Sequence, residues 1–299
     1  MDLNLVQIVY NIRSNVHLSM QAIMHNAVRN FEKYFKDECC LRSDVSCQAC
    51  SDQAECPYRI VFGQILSTDP EVVRKHQKPP LPFVFKISVS NENTSGVDVG
   101  IVIVGDVLCY VSTFHNAFMR LVTSLKTEHV SLEVDVAGKW CLDYHDSRHE
   151  LDTALQPLII LSSREILLNS PVSDTIRIIF ETPARLLSGG SVMHSMDFGV
   201  FIRAQMRRCS SLFAYYGGGE LEMNYGAMSD SAERVVLVDG NIRYSMPQWS
   251  KRTNQAGLLG AAEFSGLTDG MLPLLSLGSY FNAGKGAVYG LGMHRLESV

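Results

Sequence analysis

From Leu3 to Ile12 apolar and polar positions alternate (Leu3, Leu5, Gln7, Ile8, Tyr10, Ile12), the pattern of a half-buried strand. After Ser19, a residue suited to an N-cap, Met20, Ile23, Met24, Ala27, Phe31, Tyr34 and Phe35 recur at helical spacing and predict an amphipathic helix of about four to five turns. Strands are expected over Tyr58–Leu66 and Phe83–Val89, on either side of a polar linker that ends in Pro79-Pro80-Leu81-Pro82. A turn follows at Asn91–Ser95, then a strand over Val97–Val104. A second helix is predicted over Ser112–Leu125, with Phe114, Ala117, Phe118, Leu121, Val122 and Leu125 on its buried face, and a closing strand over Glu128–Val136.

Strand, helix, two strands, helix, strand is the split βαβ order of a ferredoxin-like domain. The second half repeats that plan. A strand is expected over Thr175–Glu181, a helix over Phe198–Tyr215, one or two strands within Glu233–Tyr244, and a short helix around Leu272–Leu277 before a glycine-rich end. The expected class is therefore α+β, with tandem ferredoxin-like (RRM-like) βαββαβ domains over 1–165 and 166–299. The junction is placed in the loop Ser162–Ser173. Two such domains side by side would create a cleft, a favoured place for a binding site.

With 299 residues, 46% of them hydrophobic, the chain can fill two cores. Its apolar runs are too short for a membrane-spanning helix, and its start lacks the basic and apolar segments of a signal peptide, so a cytoplasmic protein with no membrane partner is expected. The formal charge of −5 argues at first against a polyanionic ligand. Its distribution changes that. Thr127–Asp152 carries seven acids against Lys139 and Arg148, whereas Arg177–Arg208 carries five arginines and only Glu181 and Asp197. Arg243, Lys251 and Arg252 follow with no acid between them. A local basic surface of this kind suffices for nucleic acid; the same charges also fit a solvated face.

Five of the eight cysteines fall between positions 39 and 56. Cys47-x2-Cys50-x5-Cys56, with Cys40 or its neighbour Cys39, would supply four thiolates for a structural zinc ion. The alternative is a loop of free thiols. Cys109, Cys141 and Cys209 sit among apolar residues and read as core.

The stretch Leu277–Gly292 contains Gly278, Gly284, Gly286, Gly290 and Gly292 around one lysine, Lys285. A phosphate-binding Walker loop fails here, because the spacing is wrong and Gly286 stands where Ser or Thr is needed. A dinucleotide fingerprint fails as well, for want of a strand-to-helix turn at these glycines. What remains is a loop that can bring backbone N–H groups and a cation close to a phosphate, or a tight structural crossover.

Taken with the rest of the chain, this end resembles the C-terminal glycine loop of the RAMP superfamily, and more closely that of the CRISPR-associated endoribonucleases that process precursor CRISPR RNA. The features that carry the resemblance keep the family's order. They are the opening strand and helix, Cys47-x2-Cys50-x5-Cys56-Pro57-Tyr58, Pro80-x-Pro82-Phe83, Gly105-Asp106 before a helix, Thr182-Pro183-Ala184-Arg185-Leu186, the arginine-rich helix, Tyr244-Ser245 with Lys251-Arg252, Gly257-Leu258-Leu259-Gly260, and Gly284-Lys285-Gly286-x3-Gly290-Leu291-Gly292. The resemblance implies two ferredoxin-like domains and a single metal-independent cut in repeat-derived RNA, made by the 2′-hydroxyl on its adjacent phosphate and leaving a 2′,3′-cyclic phosphate. It implies no catalytic cofactor. A silent subunit that holds the guide RNA within an effector complex, and a zinc-stabilised RNA-binding protein of another kind, are the alternatives.

Such a cut needs a general base, a general acid and a group to meet the phosphorane charge. The resemblance places the catalytic histidine on or beside the first helix, where the chain offers His17 and His25. Helical arithmetic turns His25 away from the predicted core and sets Arg29 one turn on, where it could meet the scissile phosphate. Tyr10 and Lys33 are supporting candidates. Arg185, Arg203, Arg207, Arg208, Lys251, Arg252 and Lys285, with Gly284 and Gly286, are the expected RNA-binding residues. His115, His129, His145, His149, His194 and His294 have no spacing that assigns them a task.

Overall fold

The computed structural model describes residues 2–15, 20–52, 54–89, 96–128, 133–245, 255–268 and 270–299. Two units divide the chain, one of Asn4–Ile160 and one of Leu161–Val299 that also takes the first three residues. The boundary thus comes before the expected junction loop. Part of that loop is helical instead and belongs to the second unit.

In the first unit the predicted alternation becomes β1 (Asn4–Ser14), while α1 runs over Met20–Cys39. Two short helices follow, α2 (Pro57–Phe62) and α3 (Pro70–Lys75), the latter capped by the Asp69 carboxylate, which accepts from the Glu71 amide. Then come β2 (Phe83–Val89), β3 (Gly96–Val104), α4 (Val111–Glu128), β4 (Val134–Leu142) and β5 (Arg148–Glu150). The sheet order is β2-β3-β1-β4-β5, with Leu5 opposite Val104 and Ile8 opposite Cys141 in antiparallel pairs.

Two expectations are corrected here. Tyr58–Leu66 is not a strand: Pro57 starts a helix, and Tyr58 and Phe62, four residues apart, stack at 5.7 Å on one face. The closing strand lies later than Glu128–Val136, because α4 continues to Glu128 and the strand's apolar anchors are Val134, Cys141 and Leu142.

Aromatic rings fill the space between helices and sheet. Phe31 meets Phe85 edge-on at 4.9 Å and 84°, and Phe35 meets Phe114 at 4.8 Å and 65°. Phe62 of α2 reaches Phe35 at 5.3 Å, so the short helix closes the lower rim of the core. Asn26, buried on α1, donates from Nδ2 to Ser124 Oγ of α4 at 3.0 Å and fixes how the two helices meet.

The second unit opens with β6 (Leu161–Ser162) and α5 (Ser163–Leu168). Asp2 and Leu3 are built into it. Asp2 accepts from the Ser162 and Ser163 hydroxyls at 2.6 and 2.8 Å and from the Arg164 amide at 3.1 Å, and the Leu3 amide donates to Ser163 Oγ at 2.8 Å. Next are β7 (Thr175–Ala184), the small pair β8 (Leu187–Ser188) and β9 (Ser191–Val192), α6 (Phe198–Tyr216) and α7 (Tyr225–Ala232). The unit ends with β10 (Val236–Gly240), β11 (Arg243–Ser245), β12 (Gly257–Ser265), α8 (Met271–Ser279) and β13 (His294–Ser298).

Its sheet order, β10-β12-β7-β13, reproduces β2-β3-β1-β4 of the first unit. The second ferredoxin-like plan is thus complete, and the chain is α+β with tandem domains of this fold. The strands β12 and β13 were missing from the sequence expectation. β12 is interrupted by Gly260 and Glu263, and β13 is a short, largely polar edge strand, so no clean alternation marks either. Among the described residues no helix is long and apolar enough to cross a membrane.

Candidate nucleic-acid interface

The glycine-rich stretch fills the turn between α8 and β13, where it is laced onto the end of β7. The Lys285 amide donates to the Arg185 carbonyl at 2.9 Å, the Gly292 amide to the Pro183 carbonyl at 3.0 Å, and the Ala283 amide to the Gly292 carbonyl at 2.9 Å. Thr182, wholly buried, donates from its hydroxyl to the Gly290 carbonyl at 2.7 Å and accepts from the Met293 amide at 2.7 Å.

Glycine is required twice over. Gly284 has φ +80° and Gly292 φ +66°, and a Cβ on either would lie 2.4 Å from the Arg185 carbonyl oxygen and 2.0 Å from that of Ala283. The loop is therefore a fixed scaffold, and what it holds out is Lys285, exposed and with no carboxylate partner among the described residues.

The arginines of α6 divide by helical phase. Arg203 and Arg207 are one turn apart on the outer stripe. Arg203 is ion-paired to Glu233, while Arg207 is exposed and has no acidic partner among the described residues. Arg208 is turned inward. Its Nε donates to the Phe281 carbonyl at 2.6 Å, beside the start of the glycine loop, and its Nη2 is shut off from water without a hydrogen-bond partner. Burial pulls this guanidinium down to about 10, so it is a cation at neutral pH, buried next to a carbonyl dipole.

Arg185 is 8% exposed and also faces inward. Of the expected RNA-binding residues, Lys285 and Arg207 thus present open cations. Arg203 is shared with Glu233, Arg185 is buried, and Arg208 is half-buried with its guanidinium turned inward. Lys251 and Arg252 fall outside the described residues. On the sheet Arg177 pairs with Glu297 at 3.8 Å and Arg295 with Glu181 at 3.2 Å, so these two arginines are neutralised where they stand.

Residues 178–294, which carry this loop and helix, match the family model of the CRISPR-associated endoribonuclease Cas6, and residues 7–134 match a second model described as an N-terminal domain. Over this segment the chain matches the Cas6 family. Among solved structures it is similar to Thermus thermophilus Cas6, at 12% identity over 98% of both chains with a TM-score of 0.54. It is also similar to a second Cas6 in a product complex, at 16% identity over 99% of this chain and 100% of that chain with a TM-score of 0.55. The substrate-mimic complex of that second protein matches at 13% identity over 98% and 99% of the two chains, TM-score 0.53. Identities this low speak for the fold. No curated protein matches the chain in sequence.

In the first unit His25 lies on α1, one turn before Arg29, which is exposed. Around them Ile23, Met24, Asn26 and Ala27 are buried. His17 falls outside the described residues.

The cysteine-rich stretch links the end of α1 to α2. Cys39, Cys40, Cys47, Cys50 and Cys56 are free thiols. Cys39 Sγ donates to the Phe35 carbonyl at 3.2 Å, and burial, with Cys56 and Cys40 close by, pushes this thiol up to about 11. Among the described residues no three of His, Cys, Asp and Glu converge to hold a metal ion, so Cys40, Cys47, Cys50 and Cys56 are not assembled into the four-thiolate site expected from their spacing.

Proposed function

We propose that this chain is the endoribonuclease that cuts the repeats of precursor CRISPR RNA. The observation that carries this reading is the glycine loop: locked onto β7, holding Lys285 exposed, and lying with the exposed Arg207 of α6 within the segment matched to the Cas6 endoribonuclease family. The similarity in fold to Cas6 proteins captured with a product and with a substrate mimic supports repeat RNA as the ligand.

The cut is transesterification without a metal cofactor. The 2′-hydroxyl of the nucleotide before the scissile bond loses its proton to a base and attacks its own 3′-phosphate; the 5′-oxygen of the next nucleotide leaves with a proton from an acid. A 2′,3′-cyclic phosphate and a 5′-hydroxyl result. His25 and His17 serve as base and acid, since an imidazole titrates near neutral pH. Arg29 offers charge-assisted hydrogen bonds to the phosphorane oxygens. Lys285 and Arg207, with Lys251 and Arg252, hold the RNA backbone through contacts that weaken with salt.

The test is incubation of the purified protein, with EDTA present, with labelled CRISPR repeat RNA, followed by a denaturing gel and analysis of the product ends. One cut with a cyclic phosphate is expected, and its loss in a folded His25→Ala variant assigns the base. Tight, repeat-specific binding with no cut overturns the nuclease reading and makes the chain a silent RNA-holding subunit.

A further inference from the structure

On the first unit a second polar constellation stands apart from α1. His115 lies in the second turn of α4, half-buried, with Nδ1 3.0 Å from Tyr10 Oη and the two rings stacked at 5.6 Å. Tyr10 is 1% exposed, on the helix-covered face of β1, and its ring also stacks on Phe118 at 4.2 Å.

A buried hydroxyl needs an acceptor, and among the described residues His115 Nδ1 is the hydrogen-bond partner that Tyr10 has. The phenol therefore donates to Nδ1, and the neutral imidazole carries its own proton on Nε2. The tyrosine thus fixes His115 as a donor at its outer nitrogen.

Lys139 lies directly opposite Tyr10 in the β1–β4 register, so its side chain leaves the sheet on the same face. It is near enough to His115 for its charge to oppose a second one there. It has no carboxylate partner among the described residues.

Three acids of this net-acidic segment are directed elsewhere. Asp143 takes His149 Nε2 at 3.0 Å and the amides of His145 and Ser147 at 2.8 and 2.9 Å. Asp152 takes the amides of Ala154 and Gln156. Glu150 pairs with Trp140 on the opposite face of the sheet. A neutral N–H and an ammonium close together, neither paired with a carboxylate among the described residues, suit the non-bridging oxygens of a singly charged phosphodiester.

We propose that His115 Nε2–H and the Lys139 ammonium form a phosphodiester-binding subsite on the first unit, with the RNA backbone as its ligand. This rests on the RNA-binding reading above and extends it to a unit whose charge argues against it. Tyr10 is a positioning residue that sets the imidazole tautomer.

The test is fluorescence anisotropy of the full chain with labelled CRISPR repeat RNA over a range of salt concentrations. Lys139→Met is expected to weaken binding roughly three- to tenfold and to lower the slope of log K against log salt by about 0.7, the share of one single-strand phosphate contact. Lys139→Arg restores both. His115→Phe weakens binding roughly two- to fivefold with the slope unchanged, as for a lost neutral hydrogen bond. Lys139→Gln stands in if the methionine variant melts at a lower temperature.

An unchanged affinity and slope in Lys139→Met, while Lys285→Met weakens binding, overturns the subsite and leaves the RNA-binding reading standing. A wild-type chain that binds no RNA overturns both.

Discussion

The amide of Lys285 donates to the carbonyl oxygen of Arg185 at 2.9 Å, so the lysine that faces solvent and the arginine that faces the core are held by one main-chain bond. Their side chains diverge from it. The bond is part of a parallel bridge between Arg185 and Gly284, and it makes the loop a continuation of the sheet edge rather than a mobile tip.

A methyl group at position 284 tests that rigidity. With φ +80° and a Cβ placed 2.4 Å from the Arg185 carbonyl oxygen, Gly284→Ala is expected to cost about 1–3 kcal/mol in chemical denaturation of the full chain. Lys285→Ala changes no buried contact and leaves the denaturation midpoint where it is. Equal midpoints for Gly284→Ala and wild type would show the loop to be pliable.

Arg207 and Arg208, neighbours in sequence, are expected to part in their effects. Arg208→Ala leaves the Phe281 carbonyl without its guanidinium donor and lowers stability by about 1–3 kcal/mol. Arg207→Ala leaves stability alone and lowers the salt slope of RNA binding by about 0.7. Thermal melts and binding isotherms on both variants check this, and matching profiles would contradict the split by helical phase.

His115 is expected to titrate below the ordinary histidine range, because burial disfavours its cation and Lys139 adds to the penalty. NMR titration of the imidazole reads this directly, and Lys139→Met should move the midpoint back upward. The folded state binds the proton less readily than the unfolded chain, so this group's stabilising contribution is full above about pH 6.5 and is lost as the pH falls below that toward and through the lower folded-state value.

In the aromatic core, Phe31 touches Phe35, Phe62, Phe83, Phe85 and Phe114 and is wholly buried. Phe31→Ala is expected to cost about 3–5 kcal/mol, read by denaturation, whereas Phe62→Ala on the short α2 costs less because that ring is only half-buried. A smaller loss at Phe31 than at Phe62 would overturn this ranking.

The strand–helix order of the first unit was legible because α1 and α4 carry a period near 3.6 and β1 is a short apolar run, although that run is buried on both faces from Leu5 to Tyr10 and not on one face as its alternation suggests. It failed at Tyr58–Leu66, where a six-residue helix is too short to show a period and its aromatic residues favour the strand reading. The inward turn of Arg208 was legible too, though charge hid it. Phe201, Gln205, Arg208 and Leu212 follow one another at four, three and four residues, the stripe of a helix's buried face. Tyr10 and His115 could not be paired from the sequence, since 105 residues separate them and only the closed sheet brings α4 over β1.

The binding of Asp2 and Leu3 into the second unit has a consequence for synthesis. Their partners Ser162, Ser163 and Arg164 emerge from the ribosome roughly 160 residues later, so Asp2 and Leu3 find their places only after the whole first unit has been made. The first unit has all of its own strands from Asn4 to Glu150 and can close while the chain is still growing, but the second cannot be finished by its own stretch alone. Vectorial folding here runs forward through the first unit and then draws back Asp2 and Leu3 to complete the second.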